Sequence, residues 1–190
     1  LVLSWSNKVD ANGKQKGGVP FQWASDESNL STAQKLWLQK NIGGTDEGAA
    51  MGQGRLDYIR GDRSLESPPP PPPTPLKQLR TRVSRQGDIV NSVVWYTGKP
   101  ISNYALKGYT KFTLDYQSRP PMIYVGGNDG MLHGFSAADG TEKIAYVPKG
   151  VIPSLSQLTD PGYNNSHKYF VDGSPMTGDV DMGAGVQDPD

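Results

Sequence analysis

Two Asp-Gly pairs, Asp129-Gly130 and Asp139-Gly140, constrain this chain more than any other feature. Each stands between apolar runs. Met122-Ile123-Tyr124-Val125-Gly126 precedes the first, Met131–Phe135 separates the two, and Glu142–Val147 follows the second. Asp-Gly in that setting is a strong hairpin signal, because a type I′ turn needs positive φ at both central residues. An antiparallel meander of three strands is therefore expected. The β-branched and aromatic run Asp88–Tyr96 supplies a candidate fourth strand. Thr97–Pro121 reads as a polar, Tyr-containing insertion, and Pro148–Ser166 as a loop with at most a short helical turn. Lys168–Asp172 and Met176–Asp181 read as the opening strands of a further sheet, turned at Gly173-Ser174-Pro175.

The lead-in is different. Leu1–Asn29 looks irregular, with Val2, Leu3 and Trp5 able to start a strand and turns marked at Asn12-Gly13 and Gly17-Gly18. Ser31 and Gln34 have capping-box spacing, which predicts a helix running to about Lys40 with Leu36 and Trp37 as buried anchors. A second short helix is expected over Gln53–Arg60. Met51, Leu56, Tyr58 and Ile59 form its apolar stripe and Gly61 its stop. Pro68–Pro75 forces polyproline II and offers no ladder donors, so it reads as a stiff spacer of roughly 25 Å. Pro72, Pro75 and Lys77 also fit a Pro-x-x-Pro-x-basic ligand, a pattern that recurs by chance. These divisions give a short-helical lead-in over 1–67, a spacer over 68–75 and the start of a β-domain over 76–190.

Composition agrees with many turns and short elements. Of 190 residues only 35% are hydrophobic, while Gly (23) and Pro (16) are plentiful. Lys plus Arg and Asp plus Glu are both 19, so no net field draws nucleic acid. Without Cys, disulfides and thiolate metal sites are excluded. No apolar run has the length of a transmembrane helix. The basic stretch Leu76–Arg85 reads as a solvated face. Both ends look like cuts through a longer protein.

Candidate sites are few. His133 and His167 each lack a His, Cys or Glu at ligand spacing and are assigned packing roles. There is no Gly-x-Ser-x-Gly elbow, and Gly126–Gly130 joins two strands rather than opening a helix. No catalytic, cofactor-binding or metal residue is singled out. Arg60-Gly61-Asp62 is an integrin-type adhesion tripeptide, set against the favoured reading of a helix ending at Gly61.

Asp129-Gly130-Met131-Leu132-His133-Gly134-Phe135-Ser136-Ala137-Ala138-Asp139-Gly140 resembles the blade repeat of quinoprotein-type propellers. Four more stretches follow in order with it: Leu30–Gln34, Tyr58–Ser64, Gly87–Ser92 and His167–Pro175. Together with Tyr124–His133 they make the chain, from about residue 20 onward, similar to PilY/PilC-type type IV pilus tip proteins. The polyproline run looks like an insertion in that pattern, and Val93-Val94 stands where the family tends to have Ser-Pro. The resemblance implies an all-β, partial quinoprotein-like β-propeller with a short helical N-terminal region. It implies a non-enzymatic function in pilus biogenesis and adhesion, outside the cytoplasm at the cell surface, pilus tip or outer membrane. Implied partners are pilus subunits or minor pilins, and host or surface ligands. No cofactor is expected in this segment; calcium is implied for the parent protein, whose acidic Asp-x-Asp-x-Asp-Gly loop this chain lacks. The alternatives are a blade segment of a pyrroloquinoline-quinone dehydrogenase, which shares the Asp-Gly-x-Leu pattern, and a generic extracytoplasmic scaffold. In a lone blade-like sheet, Ile123, Val125, Leu132 and Phe135 are not expected to be fully covered.

Overall fold

A computed structural model describes residues 1–67 and 76–180; the proline tract expected as a spacer lies outside the described residues. The expected meander is present. Strands β4 (Met122–Gly127), β5 (Met131–Ser136) and β6 (Glu142–Val147) pair antiparallel in sequence order, with β3 (Trp95–Thr97) on the outer edge. The turns sit where the Asp-Gly pairs predict but are not type I′. Gly130 and Gly140 have φ of 92° and 71°, whereas among the described residues no non-glycine has positive φ. Each turn therefore needs only its glycine in the left-handed region, and each aspartate caps it instead: Asp129 accepts from the Met131 N–H and Asp139 from the Thr141 N–H.

The sheet has six strands, not four. β1 (Val2–Val9) and β2 (Gln15–Pro20) form a hairpin, and β1 then lies parallel to β6, with Val2 opposite Ala145 and Ser4 opposite Val147. The order is β2-β1-β6-β5-β4-β3. Gly17-Gly18, expected as a turn, is inside β2, where Gly17 lies under the Trp5 ring. In the other direction, the expected strand Asp88–Tyr96 shrinks to β3. Residues 88–94 follow the sheet end through isolated bonds, and Ile89, Val90, Val93 and Val94 are exposed. Their β propensity is real, but no neighbouring strand offers a ladder there.

The helices and a long 3₁₀ segment cover one face. α1 (Thr32–Gln39) starts on the predicted capping box: the Ser31 hydroxyl accepts from the Gln34 N–H, and the Gln34 side chain accepts from the Ser31 N–H. Its buried residues are Gln34, Lys35 and Leu38, while Leu36 is exposed and Trp37 half-buried, so the predicted anchors are off by about one position on the helix face. α2 spans Gly48–Ile59, a turn and more longer than predicted, and buries Met51, Leu56, Tyr58 and Ile59 as expected. Residues 152–159, expected as loop, are a 3₁₀ helix whose Ile152, Leu155 and Leu158 enter the same core. That core joins Leu38, Leu56 and Leu155 to Met131, Ala145 and Val147 of the sheet. Val125 is buried, whereas Ile123, Leu132 and Phe135 are half-buried, as expected for part of the set. The insertion 97–121 contains α3 (Tyr109–Asp115), built around stacked Tyr109 and Phe112.

Lys168–Asp172 and residues 176–180 are not strands, and position 181 lies outside the described residues. This segment instead runs beside 91–98 and is tied to it by side chains: Asp172 to Asn91, Ser174 to the Val93 N–H, and Thr177 to Trp95 Nε1 and Thr97. Polar side chains of this segment take up bonds that a backbone ladder would have made.

Candidate functional site at the helix–sheet junction

The C-terminal end of α2 is held by Arg82, from the stretch read as a solvated face. Arg82 is 7% exposed. Its Nη1 donates to the Tyr58 carbonyl in the last turn of α2 (2.8 Å) and its Nη2 to the Asp62 carbonyl just beyond it (2.7 Å). Its Nε and backbone N–H go to Glu66 (2.7 and 3.0 Å), and its guanidinium lies 3.6 Å from the Tyr58 ring centre. Burial opposes ionisation of Glu66, but these bonds outweigh it and hold the carboxyl below its ordinary range. Leu79 is likewise buried, so the basic stretch is a strap across the core rather than a free surface.

Arg60-Gly61-Asp62 forms the turn that ends α2. Arg60 is its C-cap residue and Gly61 has φ of 104°. Arg60 Nη1 donates to the Phe21 carbonyl (2.8 Å). Asp62 is exposed, and its carboxylate accepts from the Ser64 N–H (2.7 Å) and hydroxyl; these bonds hold it below its ordinary range.

The strap then crosses the β4–β5 turn. Gly87 donates to Asp129 (2.7 Å), the Asp88 carbonyl accepts from the Asn128 N–H (3.0 Å), and Asn128 accepts from the Phe170 N–H (3.1 Å). Asp129 also meets His133 Nε2 at 3.1 Å, while His133 Nδ1 lies 2.6 Å from Glu142. Burial alone would favour the neutral ring; the two carboxylates outweigh it and raise the His133 pKa. His167 packs between Tyr163 and Tyr169, with Nε2 near Asp88. Among the described residues no three acidic or histidine side chains form a group able to hold a metal. Sequence spacing offered no signal for the Glu66–Arg82 pair, whose members lie on either side of the proline tract. It did offer one for Asp129, four residues before His133 across a predicted hairpin.

The antiparallel meander with Asp-Gly turns fits one blade of the β-propeller class. The family model of the PilY1 beta-propeller domain matches residues 86–187, more than half the chain. The chain belongs to that family. It is 36% identical over 187 residues to the type IV pilus biogenesis factor PilY1 of Pseudomonas aeruginosa strain PAK, covering 93% of this chain and 15% of that protein. It is 39% identical over 160 residues to a PilY1 homolog of Xylella fastidiosa, covering 80% of this chain and 12% of that protein. The chain therefore spans a small fraction of the length of these curated relatives. No solved structure matches it.

Proposed function

We propose that this segment is a non-enzymatic binding module of a type IV pilus biogenesis protein, acting outside the cytoplasm at the pilus tip or cell surface. The observation that carries this reading is the identity with PilY1 proteins across the helical layer and the sheet together. Its partners on this reading are pilus subunits or minor pilins, with host or surface ligands a second class. On this reading calcium control is a property of the parent protein and not of this segment, whose sequence carries no Asp-x-Asp-x-Asp-Gly loop.

The test is made in the parent gene. Deleting the part that encodes residues 87–180 should abolish surface pili while the truncated protein is still exported. Normal piliation with that deletion overturns the reading. Adhesion through Arg60-Gly61-Asp62 is tested separately, on purified chain immobilised for cell attachment. With Arg60 bound to the Phe21 carbonyl and Gly61 ending a helix, Asp62→Glu is expected to leave attachment unchanged. Loss of attachment with unaltered circular dichroism would assign the tripeptide an adhesive role.

A further inference from the structure

A cavity of about 300 Å³ opens between the end of α2, the strap around Arg80–Asp88 and the β4–β5 turn. Tyr58 lines it and is 2% exposed. The Tyr58 hydroxyl is buried and has no hydrogen-bond partner of sound geometry. Arg80 sits close by and favours its ionised form, but burial dominates and raises its pKa, so it is a neutral donor. A buried hydroxyl without a partner is costly, and nearly all such groups in folded proteins are satisfied by protein, water or ligand.

The charges around this donor are arranged for an anion. Arg80 is fixed by Nε on the Leu158 carbonyl (3.0 Å) and lies 4.5 Å from the Tyr163 ring centre. A guanidinium fixed in this way presents its remaining donors in one orientation. Arg85 is exposed and passes over Gly61 at the rim. Three guanidinium groups line the cavity (Arg80, Arg82, Arg85) and two carboxylates do (Asp88, Asp129), an excess of one positive charge. Just outside, Glu66 pairs with Arg82, and His133 lies between Asp129 and Glu142.

We propose that this cavity is a carboxylate-binding site, taking an aspartate or glutamate side chain, or a free C-terminus, from a partner polypeptide. A single carboxylate matches the excess of one charge, whereas a phosphate dianion exceeds it. Its oxygens would take the Tyr58 O–H and the free guanidinium N–H groups, which is the planar, charge-assisted pairing that arginine favours. The proposal rests on the binding reading above.

The test uses the purified 190-residue chain with isotope-labelled Tyr and Arg, followed by NMR. The probes are acetyl-Gly-Gly-Glu-Gly-Gly-amide, its Gln counterpart, acetyl-pentaglycine with a free C-terminus, and inorganic phosphate. Saturable shifts of Tyr58 and Arg80 with the Glu peptide, at a Kd on the order of 1 mM for so small a contact, are expected, with none for the Gln peptide. Saturation by the free C-terminus instead identifies that source. Tyr58→Phe keeps the ring under Arg82 and removes the hydroxyl alone; Arg85→Gln alters an exposed residue. Each should weaken binding by about tenfold, the value of one charge-assisted bond. Equal binding of the Gln peptide, equal or tighter binding of phosphate, or an unchanged Kd in Tyr58→Phe overturns the proposal. So does the absence of any saturable shift, which leaves the hydroxyl to water. Failure here together with loss of pili on deleting residues 87–180 would leave the pilus reading standing.

Discussion

Gly87 is where the strap and the β4–β5 turn come closest. A Cβ there would lie 2.2 Å from the Asp129 nitrogen and 2.7 Å from the Asn128 carbonyl carbon, both backbone atoms that cannot swing aside. Gly87→Ala should therefore lower stability by about 3 kcal/mol, read as a lower urea midpoint with an unchanged slope. His133 makes a different prediction. Its folded-state pKa is raised above the ordinary 6.5, so the protonated ring adds stability that is complete below about pH 6.5. That stability is lost as pH rises through the folded-state value. The melting temperature should fall as pH rises above 6.5, and His133→Gln should flatten that fall; an equal fall in both proteins would rule out His133 as its source. His133 was legible as a structural residue, and its burial in mid-strand follows from the alternation of Met131, His133 and Phe135. The hydrogen bond to Glu142 was not legible, because it depends on the register of a neighbouring strand.

At the scale of elements, the Arg82–Glu66 pair makes the strap part of α2. Arg82→Ala removes the guanidinium from the buried Glu66 carboxylate and from the Tyr58 and Asp62 carbonyls, leaving Glu66 the backbone N–H and Arg63, and should cost about 3 kcal/mol. Hydrogen exchange should locate the damage: the amides of Gly61 and Asp62, which bond back to Tyr58 and Asp57, should lose protection before those of β4–β6. Uniform loss of protection would mean that the strap and sheet unfold as one. Elements specified by local chemistry were readable in the sequence. The capping box fixed the start of α1, and glycines with positive φ fixed both hairpin turns. Elements that depend on distant partners were not. Residues 88–94 and 168–180 have strand-like composition, but their backbone groups face side chains such as Asp172 and Ser174 rather than another strand. Gln15–Pro20, with two glycines, has poor strand composition and became a strand because β1 lay beside it. The 3₁₀ helix 152–159 was missed because its apolar residues fit no strong α-helical start signal; Pro153 at its beginning suits a helix only once the core recruits Leu155 and Leu158.

On the scale of the molecule, the sheet has unequal faces. Ala145 and Val147 face the helical layer, whereas Leu3, Tyr124, Leu132, Ile144 and Tyr146 on the other face are half-buried. The folded chain should bind ANS below its melting temperature through that second face. Leu3→Thr with Ile144→Thr should reduce the dye signal while moving the melting temperature by only a few degrees, since both residues are incompletely buried. Dye binding unchanged by the pair would place the exposed apolar surface elsewhere.

The parallel contact between β1 and β6 joins residues 143 positions apart, as the Ser4 hydroxyl does when it donates to the Val147 carbonyl. Closing so long a loop is slow, and nothing repays its entropy until both strands are present. The meander of β4, β5 and β6 can assemble from neighbours in sequence, but the first hairpin must wait for it. A chain threaded out of the cell from its amino end would emerge with β1 paired to β2 alone, its other edge open to other strands for as long as the remaining segment takes to follow. For that interval the leading edge of this segment would need a holdase, or speed, to reach its place in the sheet.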